Sequence, residues 1–177
     1  MKFGTRAVTD ELTTCLTERL GRFVAIARSM LGNEQDVEDV VQDVAERAIA
    51  GRTSFRGDAD VCTWVHRILV NRCNDVIASR VRRRNAVAED ALDALWDDPR
   101  YTVDATDVEA AIANREELAD ALASLTPAQR SVVMLHDAQG WKLREIAEVL
   151  DAPLPTVKSH LRRGRRALVT LLGGASR

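Results

Sequence analysis

Apolar residues recur at helical spacing in the last third of this 177-residue chain, where Trp141 to Leu168 read as two short helices joined by a turn. The apolar stripe of the second helix consists of Val157, Leu161, Gly164 and Leu168. The matching face of the first helix consists of Leu143, Ile146, Ala147 and Leu150. Cations lie off the stripe of the second helix, at Lys158, Arg162, Arg165 and Arg166. This pattern predicts a helix-turn-helix that binds DNA; a helical hairpin with a solvated basic face is the alternative.

The chain upstream of this pair also follows a helical pattern. One helix is predicted from Thr9 to Leu31, and Gly32 ends it. Asn33 is a good N-cap for a second helix from Glu34 to Ala50, whose exposed face is acidic. A loop with two glycines follows, and a third helix is predicted from about Asp60 to Arg84.

Residues 85–108 are acidic and show no sustained apolar period, which predicts a flexible linker. Its apolar residues, Leu92, Leu95 and Trp96, could form a transient turn or dock on a partner. A helix over residues 109–123 is then predicted to bury Ile112, Leu118, Ala119 and Leu122. Thr126, Pro127 and Gln129 form the pattern of a capping box that opens a further helix, which Gln139 and Gly140 end. The predicted fold class is therefore all-α, with one helical domain at 9–84 and a second at 109–172.

The net charge of −2 conceals a strong alternation along the chain. Residues 31–50 carry six acids and one arginine, whereas residues 52–84 carry eight arginines and three aspartates. Residues 85–121 carry eleven acids and two arginines, and residues 122–177 carry nine lysines or arginines and four acids. Two basic blocks, each preceded by an acidic block, predict two separate surfaces that face nucleic acid.

The three cysteines, Cys15, Cys62 and Cys73, show no spacing typical of a metal site. Because their number is odd and the chain shows neither a signal peptide nor a long apolar run, the sequence predicts a cytoplasmic protein with reduced, buried thiols and no membrane insertion. No nucleophile–base pair, phosphate loop or metal triad is apparent, so we expect neither an enzyme nor a cofactor.

Both predicted domains resemble a known family, the extracytoplasmic-function group of bacterial RNA polymerase sigma factors. The first resembles sigma region 2 through DVEDVVQDV (Asp36–Val44), SFRGDADVCTWVHRILVNRCND (Ser54–Asp75) and RVRRR (Arg80–Arg84). The second resembles region 4 through SLTPAQRSVVML (Ser124–Leu135), REIAEVL (Arg144–Leu150) and TVKSHLRRGRRAL (Thr156–Leu168). The resemblance implies a non-catalytic subunit that binds core RNA polymerase and directs initiation at promoters with minus-ten and minus-35 elements.

The resemblance also implies roles for residues of the first domain. The acidic helix would dock on a coiled coil of the largest catalytic-side polymerase subunit through Asp36, Glu38, Asp39, Gln42 and Asp43. The following loop and helix would capture a flipped base of the minus-ten element, with Asn71 reading its edge. The cations that would hold the single strand are Arg52, Arg56, Arg67, Arg72, Arg80, Arg82 and Arg83. Phe55 and Trp64 lie in the same stretch as stacking or core residues, and the helical spacing of Trp64 favours the core.

In the second domain the resemblance implies contact with the minus-35 element. The matching residues are His136, Thr156, Lys158, Ser159, Arg162, Arg163 and Arg165. Cations in such a set can read guanine edges, while hydroxyls and other cations hold phosphates. Taken alone, His136 is more typical of a surface or capping histidine. Pro155 and His160 depart from the family pattern, because relatives more often have a glycine before the recognition helix and an arginine at the histidine position.

The family usually works with partners, which the resemblance carries over as expectations: core polymerase through its coiled coil and flap, promoter DNA, and an anti-sigma factor. Two other functions stay open from the residues. TVKSHLRR also resembles the recognition helix of LuxR-like regulators, which bind palindromic sites as dimers, although the acidic helix and Asn71 have no use there. The acids at 36–43 could instead hold the two metal ions of a nuclease, although they lack the His or Cys partners and turn geometry of a usual metal motif.

Overall fold

A computed structural model describes residues 5–91 and 117–173 of the protein, and in these residues every regular element is helical. The predicted all-α fold class is confirmed. The first domain consists of α1 (Thr5–Glu18), α2 (Leu20–Leu31), α3 (Glu34–Gly51), a 3-10 turn (Arg52–Ser54) and α4 (Val61–Ala91). Within the described part of the chain, no helix is both long and apolar enough to cross a membrane.

The single helix predicted from Thr9 to Leu31 is wrong, because the chain breaks at Arg19. The backbone of Arg19 leaves the helical region (φ −107°, ψ 8°), and α2 begins at the next residue. The break lets α1 bury Leu12 and α2 bury Phe23 in one core, while Leu20 at the junction is 49% exposed.

The next two helices follow the predicted pattern more closely. The N-cap at Asn33 is confirmed, since its side chain accepts the backbone N–H of Asp36 at 2.8 Å. Helix α4 continues to Ala91 instead of ending at Arg84, so the first part of the predicted linker is helical. The rest of that predicted linker, including Leu92, Leu95 and Trp96, lies outside the described residues.

The second domain contains a helix at residues 117–124 (α5), α6 (Pro127–Val133), a π-helical turn (Met134–Ala138), α7 (Leu143–Leu150) and α8 (Leu154–Gly173). The capping box at the start of α6 is confirmed, with reciprocal hydrogen bonds of 3.3 Å between Thr126 and Gln129. The predicted buried face of α5 is confirmed at Leu122, which is half-buried against the core, and wrong at two other positions. Leu118 and Ala119 are exposed, and Ala121 and Leu125 are buried in their place. Ile112 lies outside the described residues.

Helices α7 and α8 form the predicted helix-turn-helix. Asp151 ends α7 in the left-handed conformation (φ 51°), and Pro155 lies in the first turn of α8, where its missing N–H is not needed. Val157 and Leu161 are buried, as the apolar stripe predicts. Gly164 lies against α6, where an added Cβ would come within 2.8 Å of Val133 Cγ2. The glycine on the stripe therefore sets how closely the recognition helix approaches its support.

The expectation of reduced thiols is wrong for two of the three cysteines. Cys15 of α1 and Cys62 of α4 form a disulfide, with 5.7 Å between their Cα atoms. The bond joins residues 47 positions apart, so only the packing of α1 on α4 brings them together. Cys73 is a buried free thiol, and burial raises its pKa to about 12.

We predict that Gly164→Ala destabilises the second domain by about 1–2 kcal/mol, because overpacking against Val133 outweighs the better helix propensity of alanine. Gly21→Ala is the matched control. An added Cβ at Gly21 in α2 meets no atom within 4 Å, so this variant should gain up to about 1 kcal/mol. Urea denaturation with hydrogen exchange resolved by segment measures both changes. Equal stability of Gly164→Ala and the parent chain would contradict the close approach.

Candidate nucleic-acid interface

The loop before α4 and the first two turns of α4 enclose a small pocket of about 220 Å³. It is lined by four of the predicted minus-ten residues, Phe55, Arg56, Trp64 and Arg67, together with Ser54, Asp58 and Ala59. The rings of Phe55 and Trp64 pack with centroids 5.3 Å apart, and Trp64 also packs on Gly51. Trp64 is therefore part core and part pocket wall. A cavity of this size, with aromatic and cationic walls, suits one extruded nucleobase.

The other predicted minus-ten residues lie in three different settings. Asn71 is exposed one helical turn beyond Arg67, on the same face of α4. Arg82 and Arg83 are exposed near the basic end of that helix, and Arg52 donates to the carbonyl of Ile49. Arg72 and Arg80 instead turn towards α3, where they bind Asp43 and Asp36. Sequence reasoning grouped these cations, but helix packing divides them.

The same ion pairs divide the predicted docking face of α3. Asp36 and Asp43 are partly buried against α4, whereas Glu38, Asp39 and Gln42 are exposed. Burial alone would raise the pKa of Asp36, but the hydrogen bond and charge of Arg80 hold it below its usual value. For Asp43, the hydrogen bond from Arg47 is the largest cause of a lowered pKa, and Arg72 adds to it. The exposed acidic row is thus limited to the outer face of α3.

The recognition helix α8 presents most of the predicted minus-35 residues to solvent. Thr156, Lys158, Arg162 and Arg163 are exposed and Ser159 is half-buried. Arg165 is tied to Asp137 of the π-helical turn, with 2.9 Å between Nε and Oδ2, and its hydrogen bond lowers the pKa of that aspartate. His136 donates from Nδ1 to the carbonyl of Trp141 at 2.8 Å. That bond closes the loop before α7, which agrees with the capping role typical of such a histidine.

Arg67 joins the two domains. Its guanidinium donates to the carbonyls of Val149 (3.1 Å) and Glu148 (3.0 Å) at the C-terminal end of α7, and lies 3.8 Å from the carboxylate of Asp151. The last carbonyls of a helix have no partner inside it and carry partial negative charge, so a cation there is favourable. A residue of the base pocket thus caps the first helix of the helix-turn-helix.

An aromatic cluster lies in the same contact between domains. Trp141, at the end of the loop before α7, is buried with its ring 5.0 Å from His66 of α4, and Arg22 of α2 stacks over it at 4.5 Å. Burial is the main cause of a lowered pKa for His66, whose ring also packs edge-on against Phe23. The neutral histidine is therefore a packing residue here.

The sequence analysis assigned no role to Arg130 and Ser131 of α6, which both bind Asn74 of α4 across the contact between the domains. Arg130 is buried and donates to the carbonyls of Leu122, Ala123 and Leu125 and to Asn74 of α4. Asn74 in turn donates to Ser131 at 2.9 Å. One feature of the sequence could have indicated their burial: Arg130 and Ser131 directly precede the apolar run Val132–Leu135, which has to be buried.

The acids of α3 do not gather as metal ligands would. Among the described residues, no three His, Cys, Asp or Glu side chains are grouped as a metal site requires. Asp36 and Asp43 each bind an arginine, which neutralises the charge that a cation would need. The nuclease alternative therefore gains no support.

Comparison with family models gives two matches, and they divide the chain as the fold does. Residues 16–86 match sigma-70 region 2, and residues 115–168 match sigma-70 region 4. The first covers α2 to α4 with the base pocket, and the second covers α5 to the basic stretch of α8.

Two curated relatives cover most of the chain. The ECF RNA polymerase sigma factor SigM of Mycobacterium tuberculosis is 35% identical over 170 residues, which span 96% of this chain and 80% of the relative. The ECF RNA polymerase sigma-E factor of Escherichia coli strain K12 is 31% identical over 137 residues, which span 75% of this chain and 72% of the relative.

Two solved structures share the fold, each at 25% identity and over 93% of this chain. CnrH, in complex with the cytosolic domain of CnrY, superposes with a TM-score of 0.60 over 89% of its own chain. The sigma factor RpoE of Bartonella quintana, in complex with the anti-sigma factor NepR, gives 0.52 over 96%. With both regions in order on one chain and close relatives over its length, the protein belongs to the extracytoplasmic-function sigma factors.

Proposed function

We propose that this chain is the promoter-recognition subunit of an RNA polymerase, and that it contributes binding energy and no catalysis. The observation that carries the proposal is the presence of two different surfaces on one chain: a pocket with aromatic and cationic walls in the first domain and an exposed cationic helix in the second. The family of transcription initiation factors supports this function. A LuxR-like regulator is not favoured, because it would have no use for the first domain.

The pocket at Phe55, Arg56, Trp64 and Arg67 is proposed to hold an extruded base of the minus-ten strand. An unpaired base presents a π-face and a Watson–Crick edge, and the pocket offers aromatic walls and donors for them. The exposed amide of Asn71 supplies a donor and an acceptor for edge readout on the same face. Arg82 and Arg83 continue a path for phosphates along α4.

The minus-35 element is proposed to bind α8 in the major groove. Lys158, Arg162 and Arg163 project from the face opposite the buried stripe, so they can reach base edges or phosphates without disturbing the packing on α6. Arg165 would have to leave Asp137 to join them. Thr156 and Ser159 are proposed as phosphate contacts at the start of the helix.

The two surfaces cannot serve one straight promoter while the domains stay in contact. Elements named minus-ten and minus-35 lie about 25 base pairs apart, which is roughly 85 Å at 3.4 Å per base pair. Helix α8, with 20 residues, is only about 30 Å long, and Arg67 holds its partner helix against α4. We therefore infer that the structure is a closed form, and that promoter binding separates the domains and releases Arg67 for the strand.

An anti-sigma factor is proposed as the partner that retains the closed form, since both structural relatives were solved with a bound partner. A cavity of about 710 Å³ between the domains fits this role. Its apolar lining includes Leu31, Ile77, Val81, Leu118 and Leu122, with arginines at its edge. An amphipathic helix with an acidic outer face suits such a cleft. The acidic face of α3 is proposed to dock on a basic coiled coil of core polymerase.

The proposed opening predicts that Asn74→Ala shifts the protein towards the open form. The side chain of Asn74 donates to Ser131 and accepts from Arg130, both in the second domain. Loss of such hydrogen bonds costs about 0.5–1.5 kcal/mol, a roughly 2- to 10-fold change in the closed-to-open ratio. Fluorescence energy transfer between labels on α3 and α8 measures it. Asn71→Ala, on the same helix but exposed, should leave the ratio unchanged, and an equal effect of both variants would sink the inference.

Promoter recognition by two surfaces predicts that two variants lose the use of different promoter elements in transcription with core polymerase. Asn71→Ala should reduce initiation at least about five-fold on promoters selected for their minus-ten element, because one edge contact is lost. Arg162→Ala should instead reduce the benefit of the minus-35 element, with binding to core polymerase unchanged. Initiation no higher than with core alone, for the parent chain on a promoter library, would reject the sigma function altogether.

Docking through the outer acidic face predicts that Asp39→Lys weakens binding to core polymerase roughly ten-fold, about 1.4 kcal/mol. Asp39 is exposed on α3, so the substitution should not disturb the fold. Glu11→Lys makes the same charge change at an exposed position of α1, and this variant should keep the parental affinity for core polymerase. Unaltered affinity of Asp39→Lys would place the docking surface elsewhere.

A further inference from the structure

The disulfide links α1 to the second residue of the helix that carries the base pocket. Cys15 lies in the last turn of α1 and is buried, whereas Cys62 is half-buried in the first turn of α4. Helix α1 also packs on the 3-10 turn that leads into the pocket loop. The bond therefore fixes the N-terminal helix to the segment from which the pocket is built.

A cleft of about 390 Å³ opens onto both sulfur-bearing residues. Four carboxylates line it, Asp10, Glu11, Glu18 and Asp60, against one cation, Arg19. The negative potential of such a cleft repels anionic reagents and admits small uncharged ones, although it also lowers the thiolate fraction of a cysteine beside it. Proteins that work beside DNA and polymerase occupy a reducing compartment, where a disulfide is usually transient and serves redox sensing.

We propose that Cys15 and Cys62 form a reversible thiol–disulfide site, that an uncharged hydroperoxide entering this cleft oxidises it, and that the bond tightens the pocket for the minus-ten strand. The last clause and the argument from a reducing compartment rest on the proposed function, while the pairing of the two cysteines and their oxidation do not. Cys73 takes no part, since it is fully buried and remains a thiol.

The chemistry balances with one hydroperoxide per disulfide. The thiolate of Cys62, the more accessible sulfur, attacks one peroxide oxygen; the O–O bond breaks, and the departing hydroxide or alkoxide takes up a proton. The Cys15 sulfur then attacks the sulfenic acid of Cys62, its proton leaves with the displaced hydroxide, and water is released as the S–S bond forms. A dithiol reverses the change: one of its sulfurs displaces a cysteine thiolate, and its second sulfur completes the exchange and becomes a disulfide.

The connection from the bond to the pocket is short. Asp60 accepts the backbone N–H of Thr63 at 2.9 Å and so caps α4, and Cys62 lies between them. Ala59 on one side and Trp64 on the other are pocket walls. In the oxidised form this turn is tied to α1, so the pocket is formed before the base arrives. In the dithiol form this covalent bond between α1 and α4 is absent, and part of the binding energy must order the turn.

The test begins with the full chain, reduced with dithiothreitol, freed of reductant and exposed to hydrogen peroxide or to oxidised glutathione. Thiol counting by alkylation and mass spectrometry should show that peroxide removes two of the three thiols and leaves Cys73. The anionic glutathione disulfide should react at least ten-fold more slowly. The melting temperature should rise by roughly 10 °C on oxidation. Cys73→Ser should lose two thiols on peroxide treatment, as the parent chain does. Cys15→Ser and Cys62→Ser should each fail to form the intramolecular disulfide.

The functional arm mixes each form, after removal of peroxide, with core polymerase and a fluorescent single strand carrying a minus-ten sequence. We expect the oxidised form to bind roughly five-fold more tightly. Three thiols after peroxide treatment, or a disulfide that dithiothreitol does not reduce in the folded chain, would overturn the reversible site. Equal reaction with glutathione disulfide would overturn selection by charge. Equal strand affinity of the two forms would overturn the coupling alone. If neither form binds the strand, the proposed function fails together with the coupling, while the thiol count still decides the site.

Discussion

The end of α5 and its junction with α4 are held by one buried guanidinium. Arg130 is only 4% exposed, and it donates to the carbonyls of Leu122 (2.7 Å), Ala123 (2.8 Å) and Leu125 (2.9 Å) at the end of α5. The carbonyl of Leu122 also accepts the backbone N–H of Leu125 at 3.2 Å, and the arginine supplies further hydrogen bonds to the carbonyls of Ala123 and Leu125, where the helix ends. Burial lowers the pKa of Arg130, but a guanidinium stays protonated at neutral pH. Its remaining bond to Asn74 makes the same group a link to α4.

Arg67 of the first domain also donates to carbonyls at the end of a helix, in this case those of Val149 and Glu148 at the end of α7 in the second domain. Helix carbonyl ends and DNA phosphates both present negative charge to a cation, although the phosphate presents a full charge and the carbonyls a partial one. Under the proposed function, the closed form and the promoter therefore compete for one guanidinium. The closed form is stabilised by further contacts that DNA does not replace, such as Trp141 with His66 and Arg22. Under the proposed function, opening would therefore require the binding energy of polymerase and promoter together to exceed that of all the contacts between the domains.

Local signals in the sequence were sufficient for the features that depend on near neighbours. The caps at Asn33 and Thr126 and the stripe of α8 follow from residues within a few positions of one another. Features that depend on packing were not predictable in this way. The break at Arg19 has no Gly or Pro at the residue itself, the exposed Leu118 depends on which face α5 turns inward, and the disulfide spans 47 positions. Four of the residues that line the pocket were among the predicted minus-ten residues. That Arg72 and Arg80 of the same set bind α3 and lie outside the pocket follows only from how α3 packs on α4.

That packing also decides what the acidic helix can offer a partner. The pKa values of Asp36 and Asp43 are lowered by their folded surroundings, so the stabilisation they give is complete above the unfolded value of about 4 and is lost as the pH falls through the folded values. At neutral pH these carboxylates are ionised and already bound to α4. A basic partner that took them would have to displace Arg72 and Arg80 and leave two cations without their anions, at a cost to the first domain. The exposed carboxylates of Glu38 and Asp39 carry no such cost, so a basic partner would gain most from the outer face of α3, while Asp36 and Asp43 hold α4 in place.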